Sequence, residues 1–146
     1  MSFTLDMQKF TKKTTGNIEL AIKSIVRDVA ETIIEMSPVG DATAWKNPPP
    51  VGYTGGRFRG NWDYGFNAAP NTEYDIIDKS GSASRGRIDA KIIGKKMAGN
   101  VHFIANNLPY AQRLEDGWSN QAPAGMVSLT VIKWQSIVNE SVSGIR

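Results

Sequence analysis

Cysteine is missing from the 146 residues, and histidine occurs once, at His102. The first absence excludes disulfides and thiolate metal ligands and fits a reducing cytoplasm. The second leaves a Ser-His-Asp or Cys-His site almost nothing to work with. His102 lies between Val101 and Phe103 in a predicted strand, where a lone histidine reads as structural. A G-x-S-x-G elbow, a P-loop and a dinucleotide fingerprint are all missing. So is any run of eighteen apolar residues, which excludes a helical membrane span. The opening MSFTLDMQKFTKKTTG lacks the apolar core of a secretory signal. No catalytic residue, cofactor site or metal site is expected.

What the chain does have is 14 Gly, 7 Pro and a net charge of +3, within a composition of 40% apolar and 21% charged residues. The length predicts one domain. Residues 1–36 and 101–146 are each charge-balanced, so the surplus lies in the middle. Arg85, Arg87, Lys91, Lys95 and Lys96 form a basic limb, preceded by the acidic Glu73, Asp75 and Asp78. Two readings are open: a solvated hairpin, or limbs that pair with each other or with a neighbouring copy.

Ile18, Ile22, Ile25, Val29, Ile33 and Met36 step by three or four, which predicts a helix over 17–36 that Phe3 to Lys13 can prolong. Ser37-Pro38 ends it. Residues 37–60 are rich in Pro and Gly, with three consecutive prolines favouring a stiff extended arm flanked by Trp45 and Tyr53. TGGRFRG (54–60) serves either as a tight turn or, through arginine and phenylalanine, as a stacking surface for single-stranded nucleic acid.

Trp62, Tyr64 and Phe66 alternate with polar or small residues, the pattern of a half-buried strand. Further strands are predicted at 73–78, 88–94 and 100–107, with 79–87 as a hairpin tip. Pro109 opens a short helix over 109–116 that Gly117 closes. A last helix begins near Pro123-Ala124, with Val127, Val131, Trp134, Val138, Val142 and Ile145 as its apolar stripe.

The predicted fold is α+β: a long N-terminal helix and a C-terminal helix packed on one face of a small antiparallel sheet, with extended loop and hairpin arms. Its parts are 1–36 (helix), 37–60 (loop), 61–107 (sheet with hairpin arm) and 109–146 (helical).

Glu115 and Asp116 are adjacent, so on a helix they diverge and do not form a metal pair. At a helix C-terminus they oppose the dipole, a small cost that points to a positive partner. Trp45, Tyr53 and Trp118 sit in connections with few neighbours, and loop aromatics are typical interface anchors. With Glu115 and Asp116 they are the candidate subunit-interface residues. The five basic residues from Arg85 to Lys96 are the candidate DNA-facing ones.

Two segments resemble a known family. SPV followed by YTGGRFRGNW resembles the S-P-V-D-T-G-x-L-R-x-S-W pattern of siphophage neck and tail-completion (head–tail joining) proteins. LPYAQRLEDGWSNQAPAGMV resembles their Y-A-x-x-L-E-x-G-x-S-x-Q-A-P-x-G-M segment, which a terminal helix follows. The lambdoid minor tail protein Z belongs to that group. The insert GDATAWKNPPPVGY between SPV and TGG departs from it.

The resemblance implies a non-enzymatic virion protein, in the neck or at the head-proximal tail end and in the host cytoplasm during assembly. It implies a homo-oligomeric ring, a hexamer, that meets connector or head-closure and tail-tube proteins, with non-specific contact to genomic DNA in its lumen and none with membrane. It also marks Tyr110, Leu114, Glu115, Gly117, Gln121, Ala122 and Pro123 as a hallmark turn. Trp118 then either faces a neighbouring subunit or folds back over the sheet's end. The competing expectation is a small basic nucleic-acid-binding protein using Arg57, Arg59 and the 85–96 cluster with Trp45 and Tyr53.

Overall fold

A computed structural model describes residues 3–40, 48 and 51–143, the side chains of 3–6, 10 and 11 excepted. Trp45 and Ile145 lie outside the described residues. The fold is α+β, a long N-terminal helix and shorter C-terminal helices around a two-stranded antiparallel sheet.

Helix α1 runs Phe3–Met36, about 51 Å at 1.5 Å per residue. Its apolar stripe delivers Val26, Ala30, Ile33 and Ile34 to the core, with Ile22, Val29 and Met36 at the margin. Ile18, the predicted first step of that stripe, is exposed, as are Met7 and Leu20. The packed part of the helix is therefore its second half.

Strand β1 (Trp62–Phe66) follows a single 3-10 turn, Arg59–Asn61, and pairs with β2 (His102–Asn106) in the register Trp62↔Asn106 to Phe66↔His102. Trp62 and Tyr64 point into the core, as alternation requires, with Trp62 edge-on to Phe58 at 5.6 Å between ring centroids.

The predicted hairpin arm is corrected. Residues 82–92 form helix α2 (Ser82–Ile92), not a loop tip and return strand. Its buried face is Ser84, Ile88 and Ile92, one residue per turn. Asp78 anchors its start by accepting from the Ser80 and Ala83 amides, while Ser80 Oγ accepts from the Ser82 amide. α2 lies along the outer edge of β1, where Ser84 Oγ accepts from the Trp62 amide and Arg87 donates to the Gly60 and Trp62 carbonyls. A side-chain row thus closes an edge that a third strand was expected to cover.

The strand predicted at 73–78 is also absent. Asn61 takes over its pairing: its side chain accepts from the Tyr74 amide at 2.7 Å and donates to the Tyr74 carbonyl at 3.0 Å.

Helix α3 (Ala111–Glu115) starts after a turn at Pro109–Tyr110, and Gly117 (φ 88°) closes it in the left-handed region. The final helix begins later than predicted and comes in two pieces, α4 (Val127–Ile132) and α5 (Trp134–Ser143). Its rotation is the largest correction. Met126, Thr130, Ile137 and Ser141 are buried, whereas of the predicted stripe Val127, Val131, Trp134 and Val142 are exposed and Val138 is half-buried. The hydroxyls of Thr130 and Ser141 permit close approach, bonding to the Met126 carbonyl and to Asp28 of α1.

Candidate subunit interface

Ser37 ends α1 with its hydroxyl donating to the Ile33 carbonyl and accepting from the Trp62 indole N–H, both at 2.7 Å. Arg59 donates to the carbonyls of Ser37 (2.6 Å), Glu35 (3.3 Å) and Lys79 (3.0 Å), so a guanidinium neutralises the helix's negative end. Val39 is then clipped from 82 residues away: Gln121 Oε1 accepts from its amide at 2.9 Å, and Gln121 Nε2 donates to its carbonyl at 2.8 Å. The two segments that carry the family resemblance therefore form one clasp.

Within the second segment, Glu115 accepts from the amides of Met126, Val127 and Ser128 and from the Ser128 hydroxyl, all at 2.9 Å. Four donors converge on one carboxylate at the start of α4. Burial would raise its pKa, but the Ser128, Val127 and Met126 amides and the Ser128 hydroxyl outweigh that and hold it below the usual carboxylate range. The expected cost of an acid at the end of α3 is thus met by the positive end of α4, inside the chain. Asp116 accepts from Gln112 Nε2 at 3.1 Å.

Two glycines are required by this geometry. A Cβ on Gly117 would sit 2.5 Å from the Pro123 carbonyl oxygen, and one on Gly125 (φ 81°) would sit 2.5 Å from Glu115 Oε1.

The clasp leaves Trp118 outside. It is 71% exposed, with the Arg113 guanidinium 5.1 Å from its ring centroid. It does not fold back over the sheet. Tyr53 behaves differently: it is half-buried, its ring passing where a Cβ on Gly40 would stand. It lines an open depression of about 460 Å³ with Val39, Lys79 and Gln121.

The basic residues mostly have partners. Arg85 pairs with Glu31 at 2.5 Å, a contact that lowers the Glu31 pKa. Arg87 lies 3.6 Å over the Tyr74 ring. Lys91 reaches Asp63 at 2.7 Å. Desolvation pulls the Lys91 pKa down, but its bond to Asp63 turns the net shift upward. Lys95 sits 5.1 Å from the Phe66 centroid. Arg57 pairs with Glu73 at 2.6 Å. His102 accepts from or donates to the Tyr64 hydroxyl through Nδ1 (2.7 Å) and faces the Met97 carbonyl through Nε2 (2.9 Å), which settles both nitrogens within the fold.

Sequence reasoning missed the exposed row on α4 and α5. Val131 and Trp134 are 68% and 50% exposed, and Val127, Ile132 and Val142 continue the row. The signal was the stripe itself, assigned to the wrong side of the helix.

Among the described residues, no group of three or more His, Asp or Glu is placed to hold a metal, and no helix is long and apolar enough to cross a membrane. Compared with family models, curated proteins and solved structures, the chain matches none.

Proposed function

We propose that this chain is a structural virion protein of a tailed bacteriophage, one subunit of a ring at the head–tail interface that completes the tail and joins it to the head. The observation that carries this reading is the clasp. Ser37, Val39, Arg59, Trp62, Glu115, Gln121 and Gly125 fit together by hydrogen bonds and close approach, so the two hallmark segments act as one scaffold. That scaffold holds Trp118 and the α4–α5 row out to solvent, where large apolar side chains serve subunit contact. Self-association, docking to connector and tail-tube proteins, and contact with DNA in a lumen all belong to this proposal. Lys95 and Lys96 are the cations best placed for that last contact.

The test is genetic and microscopic. In a phage encoding this chain, a null mutation is expected to give filled heads and separate tails, with joining restored by the purified protein. Antibody label is expected at the neck of mature virions. Normal infectious particles from the null, or virions lacking the protein, would overturn the reading.

A further inference from the structure

Helix α1 is longer than the body it packs on. α5 runs antiparallel to it, with Ser141 bonded to Asp28 and Lys133 Nζ 3.9 Å from Met36 Sδ. The last anchor toward the N-terminus is Glu19, whose carboxylate accepts from the Met97 and Ala98 amides at 2.7 and 2.9 Å. Before it, every described side chain from Met7 to Gly16 is exposed, and Gly16 has no atom within 4 Å of its Cβ position. An unsupported helical arm of this length is marginal in water.

The same chain carries an unpartnered surface of matching length. Val127, Val131, Ile132, Trp134 and Val142 span 16 residues of α4 and α5, about 24 Å of helix, against about 21 Å for residues 3–16. The five residues expose on the order of 500 Å², comparable to the ~300–600 Å² of the largest patch on a typical monomer, which is often functional, and more than half of the ~800 Å² that each partner buries in a stable pair. Charge does not oppose the pairing. Residues 3–16 carry Lys9, Lys12 and Lys13 against Asp6, α4 and α5 with the residue between them are balanced by Lys133 and Glu140, and Glu35 adds negative charge on the half of α1 beside α5.

We infer that the N-terminal arm of α1 docks along the α4–α5 row of a second copy of this chain. Each copy donates one arm and receives one, a head-to-tail contact that propagates until it closes. The inference deepens the ring reading and rests on it for the closed, multi-copy form.

Because the chain has no cysteine, single thiols report the contact cleanly. Full-length M7C and V131C proteins, both altered at exposed positions, would be mixed and treated with a short bismaleimide. The expected result is a cross-linked dimer from the mixture and little from either protein alone. Trp134→Asp, on the row and away from the core, is expected to abolish the higher-mass species in light scattering while the circular dichroism spectrum and melting temperature hold. V131C linking to itself as well as to M7C would overturn the inference in favour of a symmetric α5 contact. A monomer at tens of micromolar with no cross-link would also overturn it. A monomer that still restores head–tail joining would sink the arm contact and spare the neck reading; arm-linked oligomers of a protein missing from virions would do the reverse.

Discussion

Replacing Ser37 by alanine would strand the indole N–H of Trp62, a 3% exposed residue whose acceptor is Ser37 Oγ. A buried donor without a partner costs about 1–3 kcal/mol, so Ser37→Ala is expected to lower the urea midpoint accordingly. Trp62→Phe removes the stranded donor but leaves a gap of its own, so the double variant is expected to lose less than the sum of the two single ones; full additivity would refute this account. Asp63 presents a different balance. It is fully buried, and it accepts from the Tyr64 amide, the Tyr74 hydroxyl and the Lys91 ammonium at 2.7–2.8 Å. The Lys91 side chain is 41% exposed and can turn to water once released. Asp63→Ala is therefore expected to cost about 2 kcal/mol, below the ~3–5 kcal/mol of a pair in which both charges are trapped. Neither role could be read from residue type alone: a serine before a proline looks like a helix stop, and an aspartate in an alternating strand looks like its wet face.

The start of α4 depends on Glu115. Its folded pKa lies below the ordinary carboxylate value, so the deprotonated form binds the amides better than it binds water. The capping contribution is complete above the unfolded pKa, near ~4.3, and is lost as pH falls through the folded value. Glu19 and Asp78 are depressed as well: Glu19 by the Met97 and Ala98 amides, and Asp78 by Ser80 and the Ala83 amide against an opposing burial effect. Stability should thus fall below about pH 4. Glu115→Gln is expected to be less stable than the parent by about 1–2 kcal/mol at pH 7 and to show a shallower decline toward pH 3, as read by thermal melts at both values. Equal acid slopes in the two proteins would refute the cap. At the level of elements, α1 and β1 were legible because each carries a single strong period. α2 was not: SASRGRIDAKI holds few apolar residues, and the Ile88–Ile92 spacing of four was overshadowed by Ser and Gly. Its helicity is imposed by contacts, with Asp78 at the start and β1 along its side. The last helix shows the opposite failure. Its strongest apolar period faces solvent, since Glu115 and Met126 fix the rotation and turn Thr130, Ile137 and Ser141 inward.

Across the whole molecule, amide side chains do the work that disulfides or further strands do elsewhere. Asn61 pairs with Tyr74, Gln121 with Val39, and Asn67 accepts from the Val101 amide at 2.9 Å; Asn107 holds the Pro70 carbonyl at 3.0 Å and Asn106 the Phe58 carbonyl at 2.8 Å. Each bond bridges distant segments, so no local pattern announces it, and the long connections looked looser in sequence than they are. The same economy governs the positive charge. A run of basic residues in a sequence suggests a nucleic-acid surface, but Arg57 and Arg85 are neutralised by Glu73 and Glu31, Arg59 caps α1, Arg87 covers Tyr74 and Lys91 meets Asp63. Of the basic cluster, Lys95 and Lys96 form no salt bridge among the described residues, although the Lys96 charge lies near enough to Glu19 to help lower its pKa. If one subunit neutralises only those two phosphates, the logarithm of its duplex affinity should fall with the logarithm of salt at a slope near −1.8, about −0.9 per phosphate. Retardation assays at two salt concentrations are expected to show weak binding, with Lys95→Gln and Lys96→Gln together removing most of the slope while Arg85→Gln leaves it unchanged and lowers stability. A slope of −4 or steeper from the isolated subunit would mean that further cations, the paired ones or the exposed Lys9, Lys12 and Lys13 of the α1 arm, also meet DNA, and it would shift the weight from a joining ring to a nucleic-acid-binding protein.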